Sequence, residues 1–187
     1  MGGLFVVQAE RPRTLWIGEG AGIAPVMSEA LRLRMSTASG QPSAAPQTDA
    51  ALGSTAPPSS TLPDDRWRPL LLLGSDTPFP FRARPSSIIV PGIPQGVIAC
   101  NPLLEAHGIA NRLATRSDFP GCFDGPVTDL AQAWLESLRK TELGEVEVFA
   151  CGPTALLEAS AKLAGRFGVP YQAVPETRLD PVDSAGL

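Results

Sequence analysis

Hydrophobic positions along the chain follow two kinds of pattern that alternate with each other. A continuous apolar run at 69–74 is typical of a strand buried in a parallel sheet, and further strands are predicted at 14–17, 112–115, 146–150 and 169–174. Between them, apolar residues recur at helical spacing and predict amphipathic helices. The predicted buried faces are Ile23, Val26, Met27, Ala30 and Leu31, then Leu130, Trp134, Leu135 and Leu138, and finally Leu156, Ser160, Leu163 and Phe167.

This alternation predicts an α/β fold, a three-layer αβα sandwich with a parallel, Rossmann-like sheet. The 187 residues suit one domain spanning 1–187. Local signals predict a lead-in strand at 4–7, a short helix at 103–108, a loop at 117–126 and an N-cap at Thr128. Gly168 followed by Pro170 predicts the end of the last helix.

Composition changes sharply between residues 36 and 65. This stretch is rich in Ser, Ala, Pro, Thr and Gly, and it has almost no large apolar side chain. Such a sequence buries too little surface to offset its ordering entropy, so it predicts a flexible, dispensable insertion. A recognition segment for a partner is the alternative. The polar tail at 175–187 is predicted to be loose.

Charge and cysteine usage narrow the class of protein. The net charge of −4 and pI near 5.0 argue against nucleic-acid binding, because no basic field would hold phosphates. The sequence shows neither a membrane-spanning run nor a secretory signal. Cys100, Cys122 and Cys151 are widely spaced, which favours free thiols in a reducing, cytoplasmic setting over disulfides or a metal site.

A glycine-rich turn stands between the first predicted strand and the first predicted helix. Its spacing is G-x-G-x-G-x-x-P, from Gly18 through Gly22 to Pro25. Such a turn lets backbone N–H groups at a helix N-terminus face an anion. The alternative is a turn that packs closely and binds nothing. The turn at 151–153 is predicted to lie at the same edge of the sheet, whereas His107, the only histidine, is predicted to be exposed on its helix.

Three segments in this order resemble one known family. They are Gly18-Glu19-Gly20-Ala21-Gly22-Ile23-Ala24-Pro25, then Leu73-Gly74, then Phe149-Ala150-Cys151-Gly152-Pro153. The chain resembles the pyridine-nucleotide domain of the ferredoxin–NADP reductase superfamily. It is most similar to the electron-transfer subunit of class B dihydroorotate dehydrogenase. The G-x-V-T-D segment of that subunit is matched by Gly125-Pro126-Val127-Thr128-Asp129. The stretch that leads to its iron–sulfur region is matched by Val169-Pro170-Tyr171-Gln172.

The resemblance implies a site for NAD or NADP, with the pyrophosphate at the glycine turn. It implies that Cys151 is the catalytic residue, near the nicotinamide carbon from which hydride passes to a flavin. The implied cofactor-binding residues are Gly18, Gly20, Ala21, Gly22, Ile23, Ala24, Pro25, Gly74, Ser75, Asp76, Thr128, Gly152 and Pro153. Asp76 would repel a 2′-phosphate and so favours NAD, while Arg82 and Arg84 are candidates for the opposite preference. A small buried thiol is the other interpretation of Cys151.

The departures from the family pattern are equally informative. The flavin-binding barrel of the family has no counterpart here, so FAD is expected only through a flavin-bearing domain or subunit. The four-cysteine [2Fe–2S] segment is also unmatched, since 175–180 contains no cysteine. The isolated chain is therefore expected to be colourless and inactive. A non-catalytic interaction or relic domain is the second hypothesis, which Glu19 favours because its carboxylate would repel a pyrophosphate. The sequence further predicts that Gly22→Val abolishes NADH binding without disturbing the fold.

Overall fold

The computed structural model describes residues 5–8, 10–38 and 66–175. Within these ranges, six parallel strands form one sheet in the order β6-β5-β2-β1-β7-β8, and two short strands pair antiparallel beside it. The strands are β1 (Arg13–Glu19), β2 (Arg68–Gly74), β3 (Arg84–Pro85), β4 (Ala99–Cys100), β5 (Ala110–Thr115), β6 (Phe123–Asp124), β7 (Val146–Gly152) and β8 (Tyr171–Pro175).

Helices cover both faces of the sheet. They are α1 (Ile23–Ala38), α2 (Pro102–Ala106), α3 (Val127–Ser137), α4 (Lys140–Leu143) and α5 (Thr154–Phe167), and a 3₁₀ turn at Gly20–Gly22 leads into α1. Residues of α3 and α5 share one apolar core, whereas residues of α1 and α2 share the other. The molecule is thus an α/β protein with a parallel sheet between two helical layers, compatible with a Rossmann-like αβα fold. No helix within the described ranges is both long and apolar enough to cross a membrane.

The central strands are buried on both faces, as the continuous apolar run of β2 predicts for that strand. In β1, Leu15 and Ile17 point into the core beneath α3 and α5, while Trp16 points into the opposite core beneath α1. Trp16 stacks on Phe149 of β7 with the ring centroids 4.4 Å apart. Phe5 meets Trp16 edge-on at 5.3 Å, so the N-terminal segment closes this core.

Most of the predicted elements are confirmed. Each of the five predicted main strands overlaps an observed strand, and the predicted helices at 103–108 and after 128 and 153 are present with small shifts at their ends. Gly168 ends α5 in the left-handed conformation, with φ of +65°. His107 is exposed at the end of α2. On the predicted helix faces, Met27, Leu31, Leu138 and Phe167 are only partly buried, and the other residues are buried.

Four local predictions were wrong. Residues 5–7 form no strand, because side chains rather than a neighbouring strand hold their backbone: Gln172 pairs with Val6. Thr128 is not an N-cap, since Pro126 occupies that position and Thr128 lies inside α3. The 117–126 loop contains strand β6. Residues 36–38 continue α1, so the compositional change at Ser36 does not mark the end of the helix. The remainder of the predicted insertion, 39–65, and the tail at 176–187 lie outside the described residues.

The order of the strands defines where a ligand is expected. From β1 the chain moves to β2 and β5 on one side, and later returns to β7 and β8 on the other. The direction therefore reverses between the neighbouring strands β1 and β7, and crevices for ligands form at the carboxyl ends of strands at such a point. The carboxyl ends of β1 and β7 carry the two turns singled out in the sequence.

Candidate functional site

The glycine turn lies at the carboxyl end of β1 and leads directly into α1. Gly18 pairs with Cys151 across the two central strands. Gly20 is exposed, has φ of +59°, and has open space where a side chain would project. Ala21 and Ala24 are also exposed, whereas Gly22 and Ile23 are buried beneath them and Pro25 is partly buried. The outer surface of the turn is thus formed by backbone and methyl groups, which leaves room for a ligand to approach.

The two turns at this edge are in direct contact. A Cβ on Gly22 would overlap the backbone of Cys151 and Gly152. Gly152 has φ of +154°. A Cβ there would lie 3.0 Å from the backbone carbonyl oxygen of Glu19 and 2.8 Å from Leu156 Cδ2. Close packing alone therefore requires glycine at 22 and 152, with no ligand involved. Only Gly20 has no packing explanation of this kind.

Three helices begin at this edge without a side-chain cap. Glu19 precedes the turn into α1, Pro126 precedes α3, and Pro153 precedes α5; none of them accepts a hydrogen bond through its side chain from the helix. By contrast, α2 is capped by Asn101, whose side chain accepts from the N–H groups of Leu103 and Leu104. Uncapped N-termini carry partial positive charge, so this edge favours an anion from three directions.

Two carboxylates at the same edge oppose an anion. Glu19 is half-buried, and burial together with the nearby Asp76 carboxylate raises its pKa above the ordinary value. Asp76 is exposed and accepts a hydrogen bond from Arg116 at 3.0 Å. The sequence reasoning missed Arg116, although its position directly after the predicted strand at 112–115 would have placed it at this edge. The positive charge of Arg116 partly offsets the negative charges of the Glu19 and Asp76 carboxylates.

The residues that follow β2 form a self-contained turn. Gly74 packs against α3, since a Cβ there would lie 2.9 Å from Val127 Cβ. Ser75 is buried, and its hydroxyl donates to the carbonyl of Thr77 at 2.8 Å. Asp76 is therefore the residue of the predicted 74–76 set that presents a polar side chain to solvent. Thr128 lies in the first turn of α3 and lines a cavity of ≈ 290 Å³ between α3 and α5, whereas Pro153 immediately precedes α5.

The backbone of Cys151 lies at this edge of the sheet, whereas its side chain points into the core. It is fully buried, and its side chain belongs to the apolar cluster beneath α1. Cys100 is also buried, and burial together with the hydrogen bond to Glu105 raises the pKa of its thiol to about 12. Burial likewise raises the pKa of the Cys122 thiol. Across the described ranges, no group of three or more His, Cys, Asp or Glu side chains is arranged to hold a metal ion.

No protein-family model matches the chain, and no curated protein is significantly similar to it. The resemblance to the reductase family therefore rests on the motifs at 18–25, 73–74 and 149–153 and is developed below as a proposal.

Proposed function

We propose that the chain is the NAD(P)H-binding module of a flavin-dependent electron-transfer oxidoreductase, with the nucleotide domain of the ferredoxin–NADP reductase type. Its flavin would be bound on another domain or subunit. One observation carries the proposal: the open glycine turn and the 151–153 turn meet where the strand order reverses, between helix N-termini that no side chain caps. This combination is what a pyrophosphate-bearing nucleotide requires.

The residues at the edge fit a nucleotide in a definite orientation. The backbone of Gly20–Gly22 would receive the pyrophosphate, because Gly20 keeps its outer side open. The turn at 151–153 would lie at the nicotinamide end, with Cys151 contributing to that end of the site. Asp76 would accept from the ribose hydroxyls, which favours NAD over NADP. When bound, the nucleotide supplies hydride-transfer chemistry, and the protein supplies position and electrostatic environment.

A second candidate function is a non-catalytic interaction or relic domain with the same fold. Two observations favour it. The raised pKa of Glu19 reflects burial and crowding with Asp76, an arrangement that repels a pyrophosphate. Gly22 and Gly152 are explained by packing, so their presence does not require a nucleotide. The two candidates differ in whether the edge binds dinucleotides at all.

Calorimetric titration with NADH, NADPH and ADP-ribose distinguishes them. The proposed function predicts binding of NADH and ADP-ribose at micromolar to submillimolar concentrations, and weaker binding of NADPH. Absence of binding at millimolar NADH would instead support the interaction or relic domain. A substantially higher affinity for NADPH would keep the module and overturn the role of Asp76.

A pair of variants at Ala24 locates the site. Ala24 is exposed in the first turn of α1, where an acidic residue is favourable to the helix. Ala24→Glu should weaken NADH binding about tenfold by repelling the pyrophosphate, whereas Ala24→Gln, of nearly the same size, should bind within about twofold of the parent. Equal weakening by both variants would indicate a steric effect, and no weakening by either would place the nucleotide elsewhere.

A further inference from the structure

A second cavity lies at the opposite end of the sheet, where the strands begin. It has a volume of ≈ 620 Å³ and is lined by the first residues of β1, β2 and β5, which are Arg13, Arg68 and Ala110. Trp67 and Trp134 contribute aromatic surface. A volume of this size is typical of pockets for small organic ligands.

The cavity is positively charged although the chain carries a net charge of −4. Among the described residues, three guanidinium groups and one carboxylate line it, from Arg13, Arg34, Arg68 and Glu142. Arg13 is neutralised by ion pairs with Glu142 at 3.1 Å and with Glu145 at 3.3 Å. Arg34 donates to the carbonyl of His107 at 3.2 Å. The exposed guanidinium of Arg68 forms no ion pair with any carboxylate in the described part of the chain.

One wall of the cavity is an apolar loop, formed by residues 88–92. Ile89 is 88 % exposed at its rim, an unusual position for a large apolar side chain. Gly92 has φ of +87° and packs so closely on α3 that a Cβ would overlap the side chain of Ser137. The loop is thereby fixed to the helix that carries Trp134.

Two charged side chains form hydrogen bonds with the backbone of the same loop. Glu105 Oε1 accepts hydrogen bonds from the backbone N–H groups of Ser87 and Ile88. The buried guanidinium of Arg112 donates to the carbonyl of Ile88 at 2.6 Å and to that of Val97 at 3.1 Å. Buried charged groups are costly unless such hydrogen bonds satisfy them, so their use on one loop makes its conformation well defined. The cavity wall is accordingly preorganised rather than formed upon binding.

We propose that this cavity binds a small amphipathic anion, with a flat or aliphatic apolar body and one carboxylate or phosphate group. The anionic group would pair with Arg68, since a guanidinium group matches the geometry of both anions. The apolar body of the ligand would lie against Trp67, Trp134 and the apolar loop at 88–92. This site is separate from the glycine turn and is independent of the function proposed for that edge.

The test uses an aromatic anion as probe, 1-anilinonaphthalene-8-sulfonate, and its neutral counterpart, N-phenyl-1-naphthylamine. Two of the three tryptophans of the chain line the cavity, so a bound probe should quench their emission by energy transfer. Arg68→Gln should weaken binding of the anionic probe about tenfold and leave the neutral probe nearly unchanged. Arg82→Gln, also exposed but outside the cavity lining, is the matched control and should not affect either probe.

Competition identifies the ligand class and the location of the probe. Phenyl phosphate and benzoate should displace the anionic probe, whereas phenol and inorganic phosphate should do so at least tenfold less well. NADH should not displace it, because the glycine turn is at the other end of the sheet. Equal binding by the parent and Arg68→Gln, or displacement of the probe by NADH, would overturn the proposal. Ile89→Glu provides a second variant, since a carboxylate on this exposed rim should also weaken the anionic probe without affecting folding.

Discussion

Gly22 in the glycine turn lies directly against the backbone of Cys151 near the end of β7, with no room for a side chain between them. This contact joins segments separated by more than a hundred residues and sets the spacing between α1 and β7. The contact also gives Gly22 a structural role. Gly22 is required by the packing of the fold, whether or not a nucleotide lies above it.

Gly22→Val should therefore destabilise the protein severely, by about 3 kcal/mol or more, because the new side chain must displace the backbone of β7 at Cys151 and Gly152. This corrects the expectation from the sequence that the variant would keep its fold. Gly20→Ala should cost only about 1 kcal/mol, since the new methyl group meets open space and the cost comes from φ of +59° alone. Urea unfolding followed by circular dichroism measures both. Similar stabilities for the two variants would show that the Gly22 contact is not tight.

Glu19→Gln should stabilise the protein at pH 7. The folded state raises the pKa of Glu19 above 4.5, so ionised Glu19 disfavours folding. The stabilising effect of the protonated form is complete below pH 4.5 and is lost as the pH rises through the raised pKa. The amide resembles the protonated form, and the gain should be about 0.5 kcal/mol because the side chain is half-exposed.

The pH dependence provides the control for this prediction. The difference in free energy of unfolding between the parent and Glu19→Gln should shrink toward zero as the pH falls below 4.5. A difference that stays constant from pH 4 to pH 8 would mean that the amide acts through packing. In the nucleotide-binding hypothesis, the same variant should also bind NADH more tightly at pH 7.

The fold could be predicted largely from the sequence, because the strands are buried on both faces. A run such as Leu70–Leu73 is typical of a strand buried on both faces of a sheet, and the helically spaced residues around Leu130 and Leu156 indicate which face of each helix is buried. One error occurred where side chains replaced regular structure. Phe5 and Val7 read as a strand because they are apolar, but they close a core beside Trp16.

The candidate site was predictable only in outline. The alternation of strands and helices predicts a parallel sheet, and a parallel sheet places residues 18–25 and 151–153 at one edge. Side-chain direction does not follow from it: Cys151 is buried beneath α1, and Arg116 reaches Asp76 across two strand ends. The cavity at the other edge was missed because Arg13, Arg34 and Arg68 are distant in sequence and form no motif.

The reactivity of the three cysteine thiols should decrease as their burial increases. Cys122 is partly exposed, so it should react with a soluble disulfide reagent in the native protein, slowly because its pKa is raised. Cys100 and Cys151 are buried and should react only upon unfolding. Counting released thiolate should give one equivalent in the native state, and Cys122→Ser should abolish it. Rapid native reaction in Cys122→Ser would show that Cys100 or Cys151 becomes accessible through motion of its surroundings.

Glu105→Gln should destabilise the protein at neutral pH and loosen the wall of the second cavity. Partial burial disfavours the ionised form of Glu105, but hydrogen bonds from Cys100, Ser87 and Ser86 outweigh burial and lower its pKa to about 2. Stability from the ionised carboxylate is therefore present above pH 4.5 and is lost as the pH falls toward about 2. The expected loss in the variant at pH 7 is about 1–2 kcal/mol, allowing for screening by solvent.

The matched control for Glu105→Gln is the same substitution at Glu136, whose carboxylate forms an exposed ion pair with Arg166 at 3.3 Å. Glu136→Gln should change the free energy of unfolding by less than about 0.5 kcal/mol, because exposed ion pairs contribute little. Hydrogen exchange at Ser87 and Ile88 should accelerate only in Glu105→Gln, since both backbone N–H groups donate to that carboxylate. Unchanged exchange at these two amides, with stability lost, would mean that Glu105 supports the fold through Cys100 rather than through the loop.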